Sequence, residues 1–138
     1  NRALYSTFLS YLNKEDFSYL IPKYEDERGK FIEFLKNKDF GQISFFTAKN
    51  GVTRGGHYHH SKNEKFIVVS GKALFRFKSI LTKEYYEIES NEDEPMTINT
   101  IPGWSHDIIN KGDKELVVMV WANEVFDPEN PDTINSKI

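Results

Sequence analysis

An all-β domain, a sandwich or small barrel entered through one N-terminal helix, is the fold class this sequence predicts. Three observations carry that prediction. The apolar runs are short and β-branched, as in FIVVS (Phe66 to Ser70) and LVVMVW (Leu116 to Trp121). Aromatic residues make up 14% of the chain, suiting half-buried pleated surfaces better than a helix bundle. Stretches of strand character recur roughly every ten residues, separated by Gly and Pro turns, and eight to ten strands result.

The elements follow in order. From Arg2 to Leu12 the residues Leu4, Tyr5, Phe8, Leu9 and Leu12 form one apolar stripe at helical spacing. This predicts a helix ending near Asn13, either an arm packed on the barrel or a connector from a preceding domain. Tyr24 to Lys38 opens on a charged turn at Gly29 and continues as a short strand or, alternatively, a helical turn, with Phe31, Glu33 and Leu35 alternating with Ile32 and Phe34. Gly41 to Ala48 is the next strand, closed by the turn Lys49, Asn50, Gly51. The strand after it carries His57 and His59, and a polar turn of Ser61, Lys62 and Asn63 leads to Glu64.

Gly71 marks a tight hairpin that would pair Phe66 to Ser70 antiparallel with Ala73 to Lys78. Lys83 to Ser90 alternates again, and Ser90 to Pro95 is a loop. Pro102 and Gly103 make the turn that delivers His106 to the head of another strand. Glu115 to Trp121 is the last strand, and the polar, Pro-broken tail from Asp127 extends over the surface. Phe66, Val68, Phe75, Phe77, Val118 and Val120 are the candidate core.

Composition narrows the function. A chain of 138 residues suits one domain that buries roughly two thirds of its unfolded surface. A net charge of −3 without a basic cluster gives no footprint for nucleic acid. The absence of cysteine excludes disulfides and thiolate sites, so any metal must be held by imidazole and carboxylate. No apolar run approaches a membrane span, and the start lacks the regions of a signal peptide, so the expectation is a cytoplasmic chain with no membrane partner. The leading Asn predicts a piece of a longer polypeptide, with 1–14 a helical linker and 15–138 the domain proper.

The chemistry concentrates between Gly51 and Gly71. His57 and His59 are two apart in a strand, so both imidazoles leave one face. Glu64 lies across the polar turn, and His106 adds a third imidazole from far along the chain. Such a set suits a first-row divalent ion; the plainer alternative is a hydrogen-bonded polar cluster. The spacing runs Gly51, five residues, His57-x-His59, four residues, Glu64, six residues, Gly71. It resembles the first motif of the cupin superfamily at every fixed position. Pro102, Gly103, His106 and Asn110 approach the second motif, which has one more residue between Pro and Gly. The resemblance implies a jelly-roll β-barrel with His57, His59, Glu64 and His106 as candidate ligands of zinc foremost, or of manganese, iron or nickel.

A second resemblance covers more of the chain. DERGKFIEF (Asp26 to Phe34), QISFFTAKNGVTRGGHYH (Gln42 to His59) and IPGWSHDI (Ile101 to Ile108) look like successive motifs of the deoxysugar-nucleotide 3,5-epimerases of the rhamnose pathway. By position this makes His57 the candidate catalytic base and Arg54 a catalytic and diphosphate-facing residue. That family has Gln where this chain has His59 and needs no metal. The combination resembles the C-terminal cupin domain of bifunctional capsule-synthesis enzymes of the CapF type, whose other part is an NADPH-dependent short-chain reductase.

What this resemblance implies is C3 epimerisation of a UDP-linked 2-acetamido-2,6-dideoxy-4-hexulose on the way to N-acetyl-L-fucosamine, in a homodimer. His57 is then ligand or base, not both through one nitrogen. The family's acid, a Tyr near the last strand, is replaced by Val125 and Phe126, leaving Tyr58, Tyr85, Tyr86 or water. Lys65 and Trp104 are further candidate substrate contacts, to phosphate and to a sugar or uracil ring, although a rim lysine and a packing tryptophan are the plainer roles. His60 should point away from the cluster, and Asn110 should bond nearby backbone. Rival readings are a non-catalytic cupin that binds a sugar nucleotide and dimerises a partner, and an iron-dependent cupin dioxygenase.

Overall fold

The computed structural model describes residues 2–138. After helix α1 (Arg2–Ser10) and a 3-10 turn (Lys14–Phe17) come eleven strands. They are β1 (Lys23–Asp26), β2 (Gly29–Asn37), β3 (Gly41–Ala48), β4 (Thr53–Tyr58), β5 (Glu64–Ser70), β6 (Lys72–Ser79), β7 (Tyr85–Asn91), β8 (Ile98–Thr100), β9 (Trp104–Asn110), β10 (Leu116–Ala122) and β11 (Ile134–Asn135). One sheet has the order β1-β2-β3-β10-β5-β8 and the other β11-β4-β9-β6-β7. All pairings are antiparallel, so the all-β prediction holds as two facing sheets in a jelly roll. Among the described residues no helix is long and apolar enough to cross a membrane.

Period-2 alternation places the core between the sheets. Ala73, Phe75 and Phe77 of β6 are buried while Lys72 and the other intervening residues are more exposed, and Leu116, Val118 and Val120 do the same on β10. Phe66 of one sheet meets Phe75 of the other edge to face at 5.9 Å. All six predicted core residues lie in this cluster. Asn110 closes one end: its amide donates to the carbonyls of Ala48 and Lys114 and accepts from Gly112 N–H, as the sequence led one to expect.

Three expectations need correction. β5 and β6 are not a hairpin: β5 pairs with β10 and β8, β6 with β7 and β9. Gly71 is a corner between sheets, at φ +99°, where an added Cβ would sit 3.3 Å from Leu116 Cα. Glu115 to Trp121 is not the last strand, because β11 in the tail pairs with β4, Ile134 opposite Tyr58 and Asn135 opposite His57. The N-terminal helix is not a packed arm: α1 buries no residue, and Leu4, Tyr5 and Phe8 are all more than half exposed.

Candidate metal centre

A bulge aims the first imidazole. In the pairing of β4 with β9, Gly55 lies opposite Asp107 and His57 opposite His106, with a register shift between. Gly55 holds φ +90°, and a Cβ there would come within 3.0 Å of the His106 carbonyl oxygen, so the bulge tolerates no side chain. His57 and His106 thereby face each other across neighbouring strands, ring centroids 4.8 Å apart. His59, one residue beyond β4, brings its ring to 5.0 Å from His57 and 5.3 Å from His106.

The acid arrives from the opposite sheet. Glu64 opens β5, and its Oε2 lies 3.2 Å from His59 Nε2 and 3.3 Å from His106 Nε2. His59 and His106 are each 2% exposed. One donor atom from each of the four side chains lies within 4.8 Å of all the others. Two ligands about 2.1 Å from one ion are separated by at most roughly 4.2 Å, so small side-chain movements seat a first-row ion.

Proton bookkeeping favours a cation over a simple polar cluster. His59 Nδ1 bonds the Asp132 carbonyl and His106 Nδ1 lies 3.3 Å from the Trp104 carbonyl. A carbonyl only accepts, so each Nδ1 carries the proton and each Nε2 of a neutral ring turns a lone pair toward the Glu64 carboxylate. His106 Nε2, fully buried, has no hydrogen-bond partner. Lone pairs facing a carboxylate repel unless both rings are charged, which sets two buried cations side by side, or a metal ion lies among them. Donor set and orphaned nitrogen both fit the ion.

The Glu64 carboxylate calls for the same positive charge. Burial works to raise its carboxyl, and the facing His106 and His59 rings outweigh burial, holding the acid well below the usual carboxylate range, only when they are protonated and donate to it; with both rings neutral a cation would have to supply that charge. Burial, then the His106 and His59 rings, pushes His57 down to about 4, so it is neutral at pH 7 and free to ligate or to accept a proton.

His57, Glu64 and His106, but not His59, form one wall of a cavity of about 350 Å³ that Arg28, Phe31 and Arg54 also line. A second cavity of about 550 Å³ shares Phe31, Glu64 and Val120 with it and adds Tyr24, Lys62 and Phe126. Arg54, its side chain 13% exposed, lies over the Phe46 ring at 5.4 Å and 3.9 Å from Asp26. Burial, reinforced by Arg28, lowers its pKa.

Other candidates fall elsewhere. Lys65 is exposed, donates to Asn99 and lines neither cavity. Trp104 packs against the core, and its carbonyl faces His106. His60 is exposed, with its ring against Tyr58. Tyr85 and Tyr86 are exposed on β7, away from both cavity walls. Sequence reasoning missed Arg28, Tyr24 and Lys62 as cavity residues and Asp132 as the partner of His59. Arg28 lay within the quoted motif DERGKFIEF, the one signal that pointed at it.

Comparison with known proteins accords with this geometry. The family model described as polysaccharide biosynthesis C-terminal domain matches residues 24–134. A UDP-2-acetamido-2,6-beta-L-arabino-hexul-4-ose reductase of Pseudomonas aeruginosa is 60% identical over 132 residues, 96% of this chain and 36% of that protein. The crystal structure of capsular polysaccharide assembling protein CapF from Staphylococcus aureus superposes with a TM-score of 0.93 at 44% identity, over 99% of this chain and 37% of that one. The chain thus spans little more than a third of the length of these relatives. The cupin domain of Drosophila melanogaster CENP-C, 13% identical with a TM-score of 0.63 over 74% of each chain, shares the fold alone.

Proposed function

The chain belongs to the polysaccharide biosynthesis C-terminal domain family and is a CapF-type domain; from that premise we propose that it is a zinc-dependent epimerase domain acting on a UDP-linked sugar. Its substrate is a UDP-2-acetamido-2,6-dideoxy-4-hexulose, inverted at C3 in the cytoplasm on the route to a capsular polysaccharide. The name of the Pseudomonas relative supports the substrate class, and the observation that carries the reading is the convergence of His57, His59, Glu64 and His106 in one cluster, of which His57, Glu64 and His106 line a cavity together with Arg54.

The four side chains would hold the ion. A divalent cation bound there supplies Lewis acidity, which stabilises negative charge growing on the C4 ketone oxygen as C3 loses its proton. The chain's own groups do the rest. Arg54, with Arg28 on the same wall, pairs with the diphosphate and fixes the sugar's approach. His57, neutral at pH 7, either completes the ligand set or takes the C3 proton, and one nitrogen cannot do both. Inversion requires a proton back on the other face, and Tyr24 is the one tyrosine lining either cavity. Reduction at C4 with NADPH is assigned to a short-chain reductase domain ahead of residues 15–138, with 1–14 as connector.

Solvent exchange tests the reading. Deuterium from D2O should enter C3 of the 4-keto sugar with the unaltered protein and fail with His106→Ala. His57→Ala sorts its two roles, because a lost ligand lowers metal content whereas a lost base leaves the metal and stops exchange. Full exchange in both variants would remove these residues from catalysis, and oxygen uptake by the iron form would point to a dioxygenase instead.

A further inference from the structure

The segment Asp132 to Ser136 lies in the polar, Pro-broken tail, yet it touches every piece of chain that bears a candidate ligand. The Asp132 carboxylate accepts from the backbone N–H groups of His60 (2.8 Å), Ser61 (2.7 Å) and Lys62 (2.7 Å), the turn that separates His59 from Glu64. It also accepts from the Ser61 hydroxyl at 3.1 Å. Its own carbonyl receives the His59 Nδ1 bond. Thr133 accepts from Lys62 Nζ, which stands 4.0 Å from Glu64. Asn135 pairs with His57 in β4, Ser136 N–H donates to Gly56, and the Ser105 hydroxyl beside His106 donates to the Ser136 carbonyl.

From these contacts we infer that Asp132 is a positioning residue for the metal centre. Its side chain anchors the 60–62 turn, and this holds its carbonyl against His59 Nδ1 so that His59 Nε2 presents a lone pair to the ion. The division of labour within one residue matters. The carbonyl orients the imidazole and survives any side-chain substitution, whereas the carboxylate keeps that carbonyl in place and can be removed. Outer partners of this kind fix the tautomer of a ligating histidine and typically contribute a factor of roughly 10–100 in metal affinity. The same strap explains why a turn of polar residues holds His59 and Glu64 in register: its three successive N–H groups converge on one carboxylate.

The inference rests on the metal reading, so the test separates the two. Zinc affinity is measured by competition with a chromophoric chelator for the intact protein, Asp132→Ala and Asp132→Asn, with melting of each in the metal-free state. The visible spectrum of the cobalt-substituted proteins and the long-range 1H–15N spectrum of the unaltered metal-free protein complete the set. Asp132→Ala should weaken zinc by roughly 10–100-fold. Asp132→Asn, which keeps one acceptor oxygen, should lose less. Both should melt cooperatively and show altered cobalt bands, and His59 of the unaltered protein should be the Nδ1–H tautomer. Zinc affinity within about threefold in the folded variants overturns the inference. An Nε2–H tautomer at His59 also overturns it, and decides the matter if Asp132→Ala fails to fold. If the unaltered protein takes up no zinc, the metal reading falls and this inference falls with it; unaltered zinc binding with equal affinity in the variants sinks this inference alone.

Discussion

Glu64→Gln probes the centre with little change of shape. The substitution keeps the volume of a side chain only 12% exposed and the reach of its head group to His59 and His106, but removes the charge. Outer partners of ligands cost about 10–100-fold in affinity, so loss of the only anionic ligand should cost at least about 100-fold. Ligand linkage converts this into a melting shift. At a free zinc concentration about 1,000 times the Kd of the unaltered protein, binding adds about 4.1 kcal/mol. A hundredfold weaker site at the same zinc concentration gains only about 1.4 kcal/mol. For a domain of this size about 1 kcal/mol moves Tm by roughly 3–4 °C, so the zinc-induced rise should fall from roughly 12–16 °C to roughly 4–6 °C. Differential scanning fluorimetry with a zinc buffer measures it. Equal zinc-induced shifts in the two proteins would refute the ligand role of Glu64.

Two further outcomes follow from other parts of the chain. Gly71→Ala forces a side chain onto φ +99° and against Leu116, which should cost about 1–2 kcal/mol and lower Tm by several degrees while leaving zinc affinity unchanged; an unaltered Tm would contradict the corner. Acid should weaken the metal-free protein: an unfolded imidazole takes a proton near pH 6.5, but folded His57 resists until about 4. Between those values the unfolded state binds more protons, so stability falls as pH drops from about 6.5 to about 4, and His57→Ala should flatten that slope in melts recorded with chelator.

How much could be read from the sequence depends on whether a feature is local. His57-x-His59 and Glu64 were legible because strand alternation and one short turn decide which way those side chains point. Lys65 alternates away from Glu64, as strand periodicity requires, whereas a phosphate contact follows from its charge alone and the side chain bonds Asn99 instead. The β5–β6 hairpin failed because glycine at a strand junction reads the same whether the chain reverses in its own sheet or crosses to the other. Gly71 crosses because its approach to Leu116 leaves no room for a Cβ, a contact between residues 45 apart. The tail misled for a related reason. Nothing periodic marks Asp132, since its function is to collect three N–H groups from a turn some seventy residues earlier in the chain. In α1 the apolar stripe was legible, but a stripe carries no record of what it packs against.

The central claim is that His57, His59, Glu64 and His106 hold one divalent ion. Anomalous diffraction at the zinc absorption edge from crystals of the zinc-loaded protein tests it most directly. The account predicts a single strong peak within bonding distance of Glu64, His59 and His106, with His57 beside it as ligand or facing base. A peak elsewhere, or none among these side chains at full zinc loading, would contradict it.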